Sequence, residues 1–383
     1  MKSNIYGTLA IRLYDAILAR SVFLPYWLAR VALELLHPVT FWRFRKTHGS
    51  SSVLCLEAGL KGWQIIEYKE LLNSAQEFLG VHNVRKIEIN RSQPYLDQIM
   101  AAIRNHRPTH YVYDSRTGSD GWLAGMWEAF CVAVLFQWNG IVPICILTDL
   151  PIRAWRSQTA IVSAKRGLVV SLMSPREIMP IFPHRRIIGP QVMALSNQTM
   201  RSVAAMDEAA ERRFEDKSLI FIGSLYEPRK TLLNIIKTGL AQRNITLEIK
   251  GRELGSTRFT DDDYWKSLCH ATMVITTANM MHQPGMDWPW TRHLIYRYSE
   301  VIVCGSVLVA QEVSSLSRYF ERDVHYIAYS TPEEAIEKIS YYWDRPQELK
   351  RIAIAGKERM RAIIASNMYW ACIDVALRTD SIT

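Results

Sequence analysis

Short runs of consecutive apolar residues alternate along this chain with longer segments in which apolar residues recur every third or fourth position. In the first part the runs are Val53–Leu56, Arg85–Ile89, His110–Asp114, Ile141–Leu147 and Leu168–Leu172; periodic segments begin near Ile65 and cover Tyr95–Asn105 and Trp122–Trp138. In the second part the runs are Leu219–Ile222, Ile245–Ile249 and Met273–Thr277, with periodic segments leading to Gln242, opening at Thr260, and covering Thr331–Trp343 and Glu348–Ile364. An unbroken apolar run reads as a strand covered on both faces, and a 3.6-residue period as a helix with one covered face. Their alternation predicts an α/β protein with two doubly wound parallel sheets. Residues 194–217 are polar and helical with no strand character and read as the connection. The domains expected are 51–200 and 217–383, joined by 201–216 and preceded by a helical segment, 1–50.

That leading segment carries a different pattern. Tyr6–Leu36 is rich in aliphatic and aromatic residues, but Arg12, Asp15, Arg20, Arg30 and Glu34 interrupt it before the roughly 18 uncharged residues a membrane span needs. No small-residue cleavage site follows a short apolar core, so a secretory signal is not expected. Arginine-bearing amphipathic helices with Phe23, Tyr26, Trp27, Phe41 and Trp42 suit either a membrane interface or packing on the body of the protein.

Composition changes this picture in three ways. With 49% hydrophobic and 22% charged residues over 383 positions the chain is folded and large enough for two domains. The six cysteines lie in apolar runs and form no CxxC pair, which reads as reduced, buried thiols in a cytoplasmic protein. The net charge of +9 is uneven: residues 1–210 hold 23 Lys and Arg against 15 Asp and Glu, and residues 211–383 hold 23 against 22. A basic first half suits an anionic surface or a phosphate-bearing acceptor, or is a solvated face. No nucleic-acid partner is expected.

In the second half, Gly223, Gly251 and Asn279 each follow a predicted strand and so fall on one rim of one sheet, the rim where such sheets bind ligands. Arg229 and Lys230 open the helix after the first of these strands. A glycine there lets a diphosphate approach the backbone, and a helix start offers N–H donors to an anion. Further on, Arg297-Tyr298-Ser299-Glu300 closes an apolar helix before Cys304-Gly305 and the run Val307–Gln311. A carboxylate in that setting needs a partner, and a vicinal pair of sugar hydroxyls is one.

RYSE, then CGSVLVAQE, then Tyr319-Phe320 ahead of VHYIAYSTPEEAIEKISYYW, resembles the C-terminal domain of GT-B glycosyltransferases of the family-1, CgeB-like type. The resemblance covers residues 217–365; over 1–200 it is architectural only. It implies two Rossmann-like domains facing a cleft, a nucleotide-sugar co-substrate and no other cofactor. It also implies that Arg229 and Lys230 neutralise the pyrophosphate, that Glu300 holds the ribose, and that Gly223 allows close approach. Gly251, Asn279 and Arg297 complete the donor set. The second glutamate that many retaining members carry eight residues before the ribose-binding one is Arg292 here, so Arg292 or Asp287 would hold the donor sugar differently, or the stereochemistry differs.

In the first half the acids that follow strands are Glu57, Asp114, Asp120 and Asp149, each able to serve as general base or simply to cap a helix. Asp149, in the Thr148–Pro151 loop, and Asp120, in the glycine-containing loop after Asp114, are the leading catalytic candidates. His184-Arg185-Arg186 is a basic cluster expected to face the cleft or solvent. Asp261-Asp262-Asp263 imitates a metal-binding motif, but behind Thr260 it reads as a capping box, and the histidines lack zinc-ligand spacing, so no metal is expected. The function expected is transfer of a sugar from a nucleoside-diphosphate donor to a saccharide or lipid-linked saccharide in polysaccharide synthesis, with peripheral contact through residues 1–50 at the inner face of a membrane. A non-catalytic glycan- or partner-binding scaffold of the same shape is the alternative.

Overall fold

The computed structural model describes residues 22–37, 53–58, 66–90, 92–114, 122–147, 153–179, 182, 184, 186–192, 194–208, 212–252, 259–278 and 294–379. The chain divides into two compact units, Met1–Gln191 with Tyr369–Thr383, and Val192–Met368.

The first unit begins with a helix over residues 22–37, α1. There follow β1 (Leu54–Glu57), α2 (Ile66–Leu79), β2 (Val84–Ile87), α3 (Tyr95–His106), β3 (His110–Tyr113), α4 (Trp122–Trp138), β4 (Val142–Leu147), α5 (Arg153–Val162), β5 (Leu168–Ser171), α6 (Pro175–Ile178) and β6 (Ile187–Ile188). All pairings are parallel, in the order β2-β1-β3-β4-β5-β6. The apolar runs predicted the first five strands to within two residues. The short edge strand β6 has only two residues and no apolar run to announce it.

The second unit opens with α7 (Asn197–Glu208) and α8 (Arg213–Asp216). It continues through β7 (Leu219–Ser224), α9 (Arg229–Ala241), β8 (Leu247–Arg252), α10 (Asp261–His270), β9 (Met273–Thr276), α11 (Tyr296–Val303), β10 (Val307–Gln311), β11 (Ile327–Tyr329), α12 (Pro332–Trp343) and α13 (Pro346–Ala365). Its sheet is also parallel, β11-β10-β9-β7-β8. On one face Leu219, Phe221, Ile275 and Val309 pack with Leu233, Ile236 and Leu240 of α9, whose three- and four-residue spacing turns a single stripe toward the sheet. Two caps stand as the sequence implies. Thr260 accepts from Asp263 N at 3.1 Å, and Thr331 accepts from Glu334 N at 3.2 Å, while Glu334 takes the Ser330 N–H at 2.7 Å. The acidic triplet therefore opens α10, with Asp262 paired to Lys266 at 2.6 Å.

The last helix, α14 (Met368–Thr379), runs back to the first unit, where Trp370 Nε1 donates to Ser74 Oγ at 2.9 Å. His184 does not face a cleft or solvent. It is buried, with Nε2 2.7 Å from Ser163 O and Nδ1 accepting from Arg186 N at 3.0 Å. Arg186 turns inward as well, donating to Arg166 O and to Ala376 O. A neutral imidazole with both nitrogens engaged can be buried where a charged cluster cannot. Four cysteines are buried as expected, but Cys131 and Cys372 are only half-buried, and all six are free thiols. Among the described residues no helix is long and apolar enough to cross a membrane.

Candidate functional site

In the second sheet β8 lies on one side of β7 and β9 on the other, so the direction of winding reverses between β7 and β9. Open parallel sheets bind ligands outside the carboxyl ends of the strands at such a reversal. Arg229, the first residue of α9, reaches across it. Its Nε donates to Thr277 Oγ1 at 2.7 Å, just beyond β9, and its Nη1 donates to Ser224 O at 3.0 Å, the last residue of β7. The guanidinium carbon stands 4.2 Å from the ring centre of Tyr226. A fork held in this way keeps its charge fixed at the strand ends.

Arg297 occupies the neighbouring position. From α11 it donates through Nη1 to Ile222 O of β7 and through Nε to Glu300 Oε2 at 3.0 Å, and its guanidinium lies 4.9 Å from the ring centre of Tyr264. Gly223 sits beside it with φ of 151°, where an L side chain is strained, and a Cβ there would stand 3.5 Å from Arg297 Nη1.

Glu300 is buried, and its partners are protein groups. The Tyr264 hydroxyl donates to the same Oε2 that takes the Arg297 bond, and Oε1 accepts from none of the described residues. Burial raises the carboxyl above the ordinary glutamate range, while Arg297 and Tyr264 pull it back. Burial also drives the Tyr264 hydroxyl far above its usual range, so it remains a donor. The helix that carries this pair is held from below: Arg213 Nη1 donates to Cys269 O at 2.7 Å and to Cys304 O at 2.8 Å, joining the ends of α10 and α11.

The remaining donor-set residues divide. Lys230 is exposed on the first turn of α9. Gly251 pairs with Gly223 across β7 and β8, but a Cβ there would fall 2.3 Å from Leu225 Cδ1, so its lack of a side chain makes room for Leu225. The amides at the start of α9 are occupied: Lys230 N donates to Tyr226 O, Thr231 N to Glu227 Oε2 and Leu232 N to Pro228 O. Positive charge at this corner comes from side chains, not from open helix amides. Asn279 and Arg292 lie outside the described residues, as do Asp120 and Asp149 of the first unit.

In the first unit the winding reverses between β1 and β3, and Glu57 and Asp114 stand at the carboxyl ends of these strands. Glu57 is fully buried and accepts from Tyr95 at 3.0 Å through both oxygens and from Tyr111 at 2.8 Å. Asp114 accepts from the Tyr68 hydroxyl. Sequence reasoning missed Tyr264, Tyr68 and Tyr95. Each lies on the apolar stripe of its helix, where its spacing is that of a core aromatic.

Residues 233–365 match the family model described as "Glycosyl transferase-like". The chain matches no curated protein by sequence. Among solved structures, Anabaena HepE in complex with UDP and glucose aligns with a TM-score of 0.54 at 11% identity, over 85% of this chain and 99% of that one. Sucrose-phosphate synthase from Thermosynechococcus elongatus aligns with a TM-score of 0.56 at 11% identity, over 86% and 98%. A glycosyltransferase from Rickettsia africae aligns with a TM-score of 0.51 at 9% identity, over 86% and 98%. The chain has the GT-B fold, and residues 233–365 of its second unit are similar to the glycosyl transferase-like family.

Proposed function

We propose that this protein transfers a glycosyl group from a nucleoside-diphosphate sugar, held by the second unit, to a saccharide or lipid-linked saccharide held by the first. The observation that carries this reading is Arg229 spanning the ends of β7 and β9 beside the Arg297–Glu300 pair. Arg229 and Lys230 face the diphosphate and take up the charge that develops on the leaving group. Glu300 accepts a ribose hydroxyl through Oε1 while Tyr264 and Arg297 hold Oε2. Arg297 and Gly223 border the diphosphate, and Gly251, Asn279 and Arg292 complete the donor wall. Asp149 or Asp120 serves as base toward the acceptor hydroxyl, and no metal takes part.

HepE is bound to UDP-glucose in one of its structures, which supports a uridine nucleotide as the first donor to test. The setting is polysaccharide synthesis on the cytoplasmic side of a membrane, with residues 1–50 as the peripheral contact. One observation favours a second reading, a non-catalytic scaffold: Arg292 stands where many retaining relatives carry a glutamate.

Thermal unfolding with UDP, GDP, dTDP and CMP separates the readings, since a ligand that binds only the folded state raises its stability. Stabilisation by one diphosphate, lost in Glu300→Gln, supports the transferase. No shift with any nucleotide at millimolar concentration overturns it in favour of the scaffold.

A further inference from the structure

We propose that the Gln311 side chain recognises the glycosyl group of the donor, with Nε2 donating to an oxygen of the sugar. The inference rests on the nucleotide-sugar reading of this crevice and adds the residue that meets the part to be transferred.

Gln311 is the last residue of β10. Side chains alternate along a strand, so Val307, Val309 and Gln311 share one face, as do Met273 and Ile275 of β9 with Thr277 just beyond it. Val309 stands in register with Ile275, and Ala310 with Thr276. Val307, Val309, Met273 and Ile275 are buried in the core beneath α9. Gln311 and Thr277 continue these two columns one step further, to the carboxyl ends of the strands. Both remain buried there, Gln311 with 2% and Thr277 with 1% exposure. Polar side chains at that depth need hydrogen-bond partners.

Thr277 has one, since its Oγ1 accepts from Arg229 Nε at 2.7 Å. Gln311 is satisfied on one side only. Its Oε1 accepts from Ala278 N at 3.1 Å, and its main-chain carbonyl accepts from the Tyr298 hydroxyl at 3.4 Å. A backbone N–H can only donate, so the bond from Ala278 fixes which end of the carboxamide is oxygen. Nε2 is the other end, and it donates to none of the described residues. Two unspent N–H donors on a buried side chain are costly until an acceptor meets them. They lie on the rim where such a sheet binds its ligand, which makes a ligand oxygen the acceptor.

Position along the rim selects the part of the ligand. Arg297 donates to Ile222 O of β7, Arg229 bridges Ser224 O of β7 to Thr277 beyond β9, and Gln311 bridges β10 to Ala278 beyond β9. Neighbouring strands are about 4.8 Å apart, so the three side chains follow one another along the rim in that order. With the ribose at Glu300 beside Arg297 and the diphosphate at Arg229, the next group in the same direction is the sugar. A carboxamide suits it. Sugar oxygens accept from N–H groups, and an uncharged donor leaves the charge of Arg229 to the diphosphate.

The test is calorimetric titration with nucleoside diphosphates and their glucose esters: UDP and UDP-glucose, GDP and GDP-glucose, dTDP and dTDP-glucose. The quantity read is the ratio of affinities within the pair that binds, because a change that merely loosens Ala278 or Arg229 weakens both members alike. In Gln311→Leu the affinity for the sugar nucleotide should fall roughly 3- to 10-fold, while that for the free diphosphate stays within about twofold. Leucine leaves the Ala278 N–H without its acceptor, so the thermal midpoint of the variant reports whether it is folded. Gln311→Glu keeps that acceptor. With isotope-labelled glutamine side chains, the amide resonance missing from Gln311→Glu belongs to Gln311, and in wild-type protein it should shift with the sugar nucleotide beyond its position with the diphosphate.

An equal loss for both ligands makes Gln311 a prop for Ala278 and overturns the assignment, as does no loss for either. A larger loss for the free diphosphate places Gln311 at the phosphates and overturns it too. A Gln311 resonance that moves identically with both ligands does the same. In each of these cases a nucleotide still binds, and the donor reading stands. Failure of folded wild-type protein to bind any of these ligands overturns the donor reading, and the sugar assignment with it.

Discussion

Arg297 Nε lies 3.0 Å from Glu300 Oε2, one helical turn away, and the same guanidinium donates to the Ile222 carbonyl on the neighbouring strand. The pair ties α11 to the carboxyl end of β7 and leaves one carboxylate oxygen, Oε1, turned away from both bonds. A carboxylate this deeply buried is costly on its own, and it is stable here because a tyrosine and an arginine meet it.

Replacing Glu300 separates stability from binding through pH. Burial raises its folded value above the 4.5 of an ordinary glutamate. Its stabilising contribution is therefore complete below that value and is lost as pH rises through the folded one. Wild-type stability, measured against Glu300→Gln by urea unfolding from about pH 4 to about pH 7, should fall in this window. Nucleotide affinity should rise over the same window, because ribose hydroxyls need the ionised acceptor. In Glu300→Gln the part of both trends that Glu300 contributes is lost, while that of His184 remains, and affinity at neutral pH drops by at least about tenfold with the loss of a charge-assisted bond.

Arg229→Lys keeps the charge and loses the fork that spans Ser224 and Thr277. Diphosphate affinity should fall roughly tenfold while uridine affinity stays within about twofold, since the change touches phosphate recognition alone. Calorimetric titration with UDP and with uridine checks this, and an equal loss for both would place Arg229 away from the phosphates.

Gly251→Ala drives a methyl into Leu225, whose Cγ would lie 2.5 Å from it. A cost of about 1–3 kcal/mol is expected from overpacking. Adding Leu225→Ala should recover part of it, so the two substitutions are non-additive in a double-mutant cycle of urea unfolding.

His184 should make the first unit acid-sensitive. Burial lowers it from 6.5 to about 4, so the unfolded chain takes up a proton before the folded one. The stability it supports is full above 6.5 and is lost as pH falls toward 4. Between about pH 7 and about pH 5 the expected loss is about 2 kcal/mol, and His184→Gln should flatten that dependence in urea unfolding.

Much of the architecture was legible because buried strands and amphipathic helices write their burial into residue order. Leu219–Ile222, Met273–Thr277 and the Thr260 and Thr331 caps are local features, each decided by residues within a turn or a strand of one another. Placing Gly223 and Gly251 on one rim followed from the same logic, since every strand of a parallel sheet points the same way.

What the tertiary structure alone decided are the contacts made by residues distant in sequence. Tyr264 meets Glu300 from 36 positions away, and Trp370 returns to Ser74 across 296. Leu225 accounts for Gly251, and the surroundings of His184 turn an apparently exposed basic cluster inward. A side chain's spacing records that it is buried; which group it meets there depends on how helices and strands far apart in the chain come together. The order of residues determined two wound sheets and the rim on which Gly223 and Gly251 fall, and packing determined which oxygen of Glu300 is held by Tyr264 and Arg297.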